Sequence, residues 1–83
     1  MNETLKSFGG EVLELIEEIA SRKGAGYTIA RRHGNDLRGK LAADDEDGMK
    51  ACVLSVYSFI AAPEWRHYAT AEDASKAADI YGR

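Results

Sequence analysis

The chain has 83 residues, of which 45% are hydrophobic and 30% are charged, a composition typical of one small globular domain rather than a disordered segment. The formal net charge is −3. The single cysteine excludes an internal disulfide, and the longest apolar runs have four residues, so the sequence predicts no membrane span. The first residues lack the features of a signal peptide. Together these features predict a cytoplasmic protein in a reducing environment.

Residues 3–23 are predicted to form a helix. Apolar residues recur there every three or four positions and form one stripe: Leu5, Phe8, Val12, Leu15, Ile16 and Ile19. Gly24 follows as a stop signal. Gly9 and Gly10 favour a break or bend as the alternative, because two glycines cost about 2 kcal/mol relative to two alanines inside a helix.

Residues 27–43 are predicted to form a β-hairpin. Gly34-Asn35-Asp36 is typical turn sequence, and a loop at these residues places Ile29 opposite Leu41. His33 borders this turn and is predicted to be solvated. The other side of the hairpin then presents polar and basic residues outward, including Thr28, Arg32, Arg38 and Lys40.

A helix-turn-helix motif competes with the hairpin over the same residues. Ala30 and Gly34 have the spacing found in such motifs, but Asn35 and Lys40 stand at positions that should be apolar. The hairpin is therefore the preferred interpretation. A helical structure over 29–41 would overturn the hairpin and favour the motif.

Two more helices are predicted, at 45–62 and 71–81. The acidic run 44–47 suits the N-terminus of the first, where unpaired N–H groups carry partial positive charge. The apolar stripe of this helix consists of Met49, Cys52, Val53, Val56, Tyr57 and Ile60. A strand is the alternative there, because several of these residues are β-formers. Thr70 and Asp73 predict a capping box for the last helix, with an inner stripe of Ala74, Ala77, Ala78 and Tyr81.

The sequence thus predicts one α+β domain over residues 1–83, with an N-terminal helix, a hairpin and two helices. An all-α fold is the alternative. A domain of this size buries only about 60–65% of the surface of its unfolded chain, which leaves little room for an internal cavity. Any binding site is expected on the outer surface or between two copies of the chain.

Charge is segregated along the chain. Residues 1–21 carry a net charge of −4, residues 22–40 carry +5 and residues 41–64 carry −4. Blocks of like charge can steer a binding partner, although helix capping and solvated helix faces also explain acidic residues. The candidate interaction residues are Arg31, Arg32, Arg38, Lys40, Glu14, Glu17, Glu18, Asp44, Asp45 and Asp47.

Few residues suggest catalysis or metal binding. His33, His67 and Cys52 lack the spacing of a zinc site, and 43–54 lacks the end ligands of an EF-hand loop. Cys52 lies on an apolar stripe, where a thiol is usually buried and inert. Trp65 is predicted to pack in the core, with an anchor for a partner as the alternative. We therefore predict no enzyme activity, no metal and no cofactor.

The first functional hypothesis is a protein-interaction module that binds and modulates or inhibits a larger protein. Small acidic domains of this kind include phage-encoded inhibitors of bacterial nucleic-acid-handling or defence machinery, such as anti-CRISPR proteins, an analogy based on size and charge alone. The second hypothesis is nucleic-acid binding, in which bases of the hairpin 27–43 contact phosphates. A homodimer is compatible with either hypothesis.

Overall fold

The computed structural model describes residues 1–22, 27–61 and 70–82, which form four α-helices. These are α1 (Glu3–Ala20), α2 (Tyr27–Ala42), α3 (Glu46–Ala61) and α4 (Ala71–Tyr81). No β-strand occurs within the described ranges, so the predicted α+β fold with a hairpin over 27–43 is wrong. The predictions for Gly24, Trp65 and His67 lie outside the described residues.

Helix α1 carries the predicted apolar stripe into the core. Its N-cap is Asn2, whose side-chain oxygen accepts a hydrogen bond from Leu5 N at 2.8 Å. The helix runs unbroken through Gly9 and Gly10, and it ends at Ala20, three residues earlier than predicted. Four residues of the stripe are buried: Val12, Leu15, Ile16 and Ile19.

Helix α2 replaces the predicted hairpin because its inward-facing residues recur at helical spacing. Ala30, Gly34 and Leu37 are buried, and His33 is half-buried between them. Gly34 lies against α1, because a Cβ atom there would be 3.6 Å from Ile16 Cγ2, an ordinary van der Waals distance. Although the segment is helical, α2 continues through Gly34, so the described chain lacks the turn that the predicted helix-turn-helix motif requires at that residue.

The short connection between α2 and α3 explains part of the acidic run 44–47. Asp44 has a φ of 56°, and the N–H groups of Asp44 and Asp45 donate to carbonyls in the last turn of α2 at 3.2 and 2.9 Å. This pattern is a Schellman motif that ends α2. Asp45 then begins α3, because its Oδ1 accepts a hydrogen bond from Gly48 N at 2.9 Å. One acidic residue therefore terminates a helix and the next one starts another.

Helix α3 follows its predicted stripe with two corrections. Tyr57, which was assigned to the stripe, is 43% exposed, whereas Phe59 is buried although it was not assigned there. Cys52 is half-buried at the edge of the core. The other buried residues of the helix are Met49, Val53, Val56 and Ile60.

Helix α4 begins with the predicted capping box. Thr70 Oγ1 accepts a hydrogen bond from Asp73 N, and Asp73 Oδ2 accepts one from Thr70 N at 2.8 Å. Asp73 and Ala77 are buried in this helix, whereas Ala78 is exposed despite its place in the predicted inner stripe.

The helices alternate in direction. Glu17 contacts Arg38 while Gly9 approaches Leu41, so α1 and α2 are antiparallel. Both α2 and α4 pack against α1 and α3, but within the described ranges they make no contact with each other. Helices α1 and α3 therefore lie at the centre, with α2 and α4 flanking them on opposite sides. Among the described helices, none has both the length and the apolar character needed to cross a membrane.

Candidate interaction surfaces

An acidic groove lies between α1 and α4. It encloses about 270 Å³ and has an apolar lining formed by Leu15 and Ile80. The charged part of the lining has four carboxylates, on Glu11, Glu14, Glu18 and Asp79, and one ammonium group, on Lys76. An apolar surface beside carboxylates suits a lysine or arginine side chain, whose methylene groups can pack while the cation meets an acid.

Two of the predicted acidic residues contribute to this groove. Glu14 and Glu18 line it, whereas Glu17 points toward α2 and forms an ion pair with Arg38. Glu11 and Asp79 also line the groove, although neither is among the residues predicted from the sequence. Helical spacing relates Glu11 to Glu14 and Glu18, but only the packing of α4 on α1 brings Asp79 to the same surface.

Some charged side chains of the groove form ion pairs and others do not. The ammonium group of Lys76 lies 3.5 Å from both carboxylate oxygens of Glu18 and 3.8 Å from Glu72 Oε1. In the part of the chain that the structure describes, neither Glu14 nor Asp79 has an ion-pair partner. The groove therefore retains negative charge that no cation of the described chain neutralises.

The predicted basic residues lie on α2, on the opposite side of α1 from the acidic groove. Arg31, Arg32 and Arg38 are exposed. Arg38 pairs with Glu17, Lys40 Nζ lies 3.6 Å from Asp45 Oδ2, and Arg31 also interacts within the chain. Most of these cations therefore already have partners in the folded protein.

The predicted acidic residues at the start of α3 have local roles. Asp45 caps the helix and pairs with Lys40. Asp44 Oδ1 lies 3.2 Å from the N-terminal ammonium group of Met1. Asp47 is exposed in the first turn of α3, where negative charge is favourable. These residues lie apart from the acidic groove.

A partly buried ion pair joins Arg22, two residues after α1, to Asp73 at the start of α4. Both terminal nitrogens of Arg22 donate to the two oxygens of Asp73, and the Nη2–Oδ1 distance is 2.8 Å. Burial acts to raise the pKa of the Asp73 carboxyl, but hydrogen bonds from Arg22 and Thr70 outweigh it and hold the pKa below its ordinary value. Asp73 therefore has a second role beside the predicted capping box, one that the sequence did not predict.

His33 and Cys52, which carry the groups most often used in catalysis, are both half-buried in packing contacts. His33 is not a solvated turn residue: its ring centroid lies 5.5 Å from that of Phe59, and burial lowers its pKa. Burial also raises the pKa of the Cys52 thiol, which disfavours the reactive thiolate. No group of three potential metal ligands lies together among the described residues.

Comparison of the chain with protein-family models, curated proteins and solved structures gives no match.

Proposed function

We propose that this protein is a non-enzymatic interaction module that binds a basic surface of a larger protein through the acidic groove between α1 and α4. The observation that carries the proposal is the excess of carboxylates beside an apolar lining, with Glu14 and Asp79 unpaired in the described chain. Binding there modulates or inhibits the partner by covering its basic surface.

Electrostatics supports a basic partner in two ways. The net charge of −3 attracts a cationic protein at long range. At short range, arginine or lysine side chains of the partner replace water next to Glu14 and Asp79 and cover Leu15 and Ile80. A surface that binds nucleic acid has the same basic character, so this protein would compete with nucleic acid for it.

The basic side of α2 supports the nucleic-acid hypothesis less well. Its cations alternate with acids, since Glu17 pairs with Arg38 and Asp45 pairs with Lys40. Asp36 is also exposed on this helix. A phosphate chain would therefore have to displace intramolecular partners and pass close to carboxylates.

The test is affinity capture from a host lysate with and without nuclease, followed by titration of the purified partner. We expect a protein partner that survives nuclease treatment. The variant E14R/D79R should weaken its binding at least tenfold, whereas R31E/R32E on α2 serves as the matched control and should change it less than threefold. All four residues are exposed, so the fold should tolerate both variants.

Salt dependence separates the two hypotheses further. A protein partner bound through a few charges should show a shallow dependence on ionic strength. Nuclease-sensitive capture, loss of binding in R31E/R32E and a log–log salt slope near −3 would instead show nucleic-acid binding through α2.

A further inference from the structure

We infer that α4 detaches from the other three helices as a unit, and that the Arg22–Asp73 ion pair is the main polar contact that holds it in place. This inference concerns the free protein and does not depend on the identity of a partner.

Apolar burial in α4 is small. Twelve apolar residues are buried in the described chain, and eleven of them belong to α1, α2 and α3. The one buried apolar residue of α4 is Ala77, and larger residues such as Ile80 and Tyr81 are only half-buried. Because hydrophobic stabilisation scales with the apolar area removed from water, α4 gains less from packing than the other helices do.

Polar contacts attach both ends of α4, in addition to the ring contacts of Tyr81 with Phe8 and Tyr57. The Asp73 side chain is 1% exposed and receives both terminal nitrogens of Arg22, whose side chain is 37% exposed. Tyr81 Oη donates a hydrogen bond to Val53 O at 2.6 Å at the other end of the helix. Removing Arg22 leaves a buried carboxylate without its counterion, a strongly unfavourable arrangement that detachment relieves by hydrating Asp73.

Detachment of α4 has a direct consequence for the acidic groove. Glu14 and Leu15 belong to α1, whereas Lys76, Asp79 and Ile80 belong to α4, so the groove exists only while α4 is docked. If the proposed function holds, a basic ligand that bridges the two helices stabilises the docked state.

Native-state hydrogen exchange of the full chain at increasing urea concentrations tests the inference. We expect amides of α4 to exchange through an opening with a smaller urea dependence than the global unfolding seen in α1 and α3. Exchange of α4 with the same free energy and urea dependence as α1 and α3 would overturn the inference. The wild-type protein alone decides this point.

Paired variants test the role of the ion pair. Arg22→Gln should accelerate exchange in α4 at least tenfold relative to α1 and α3. Arg38→Gln is the matched control, because it breaks the exposed pair with Glu17, and it should change exchange in α2 less than threefold. Equal acceleration in all four helices of Arg22→Gln would show that the pair supports the whole fold rather than α4.

A peptide-binding experiment distinguishes the detachment of α4 from the proposed function of the groove. A hexalysine peptide that bridges the groove should slow exchange in α4 of the wild type but not of E14R/D79R. Independent opening of α4 without any effect of the peptide would reject the acidic groove as a site for a basic chain and leave the detachment of α4 established.

Discussion

Helix α1 packs against α2 on one side and against α4 on the other, and the two contacts differ in chemistry. Toward α2 the protein buries Ala30 and Leu37, and Gly34 lies against Ile16. Toward α4 it buries the charged Asp73, and the surface beside the contact is rich in carboxylates. Stability is thus concentrated on the α2 side, which leaves the α4 side to carry charge.

The largest expected effect comes from truncating an isoleucine on the α2 side, and the same truncation on the α4 side serves as the comparison. Ile16 is fully buried in the core, whereas Ile80 is half-buried on α4. Ile16→Ala should lower the free energy of unfolding by about 2–5 kcal/mol, because it leaves a cavity, and Ile80→Ala should cost clearly less. Urea denaturation followed by circular dichroism measures both, and equal losses would contradict the division between the two sides.

Asp73 makes the α4 side sensitive to acid. The pKa of the Asp73 carboxyl is lower in the folded chain than in the unfolded chain, where it is about 3.9. Such a carboxyl stabilises the fold at pH values above the unfolded pKa, and its contribution disappears as the pH falls through the folded pKa. Asp73→Asn should therefore cost about 1.5–3 kcal/mol at pH 7, through loss of the charged hydrogen bonds.

The pH profile checks this expectation. The difference in unfolding free energy between wild type and Asp73→Asn should shrink steadily below about pH 4. A difference that is constant from pH 7 to pH 2 would mean that the carboxylate charge contributes nothing to the docking of α4.

The smallest expected effect concerns two adjacent glycines of α1. A Cβ atom on Gly10 meets no atom within 4 Å, so Gly10→Ala should raise the unfolding free energy by about 1 kcal/mol through helix propensity. On Gly9 a Cβ atom would lie 2.8 Å from Leu41 Cδ2, and Leu41 must move to make room. Gly9→Ala should therefore be less stable than Gly10→Ala in thermal denaturation. The reverse order would show that Leu41 of α2 moves aside at little cost in free energy.

Sequence patterns predicted the helices that carry either a stripe of large apolar residues or a capping signal. The stripe from Leu5 to Ile19 and the capping box of Thr70 and Asp73 are visible without any tertiary information. Their signals are local, because spacing and capping involve residues within a few turns of one another.

The failure over 27–43 has a specific physical cause. The buried positions of α2 include Ala30 and Gly34, small residues that contribute little hydrophobicity to the sequence pattern. Gly34-Asn35-Asp36 has turn-like propensity, and packing on α1 overrides it. Counting alanine and glycine as inward-facing residues gives the helical spacing Ala30, His33, Gly34, Leu37 and Leu41.

The acidic groove was only half visible in the sequence for a related reason. Glu14 and Glu18 stand out in a charged helix, but Asp79 is more than sixty residues away and joins them only through the docking of α4. In the same way, nothing in the spacing of Arg22 and Asp73 indicates that they form a pair.

The left-handed Asp44 has a consequence for the order in which the protein folds. Together with the cap at Asp45 it reverses the chain within three residues, so α2 and α3 meet through a very short loop that closes rapidly. The contacts that dock α4 instead join residues 51 positions apart at Arg22–Asp73 and 58 positions apart at Glu18–Lys76. Such distant contacts have a higher loop-closure entropy cost, so we expect the surface that carries the acidic groove to be assembled after the pairing of α2 and α3.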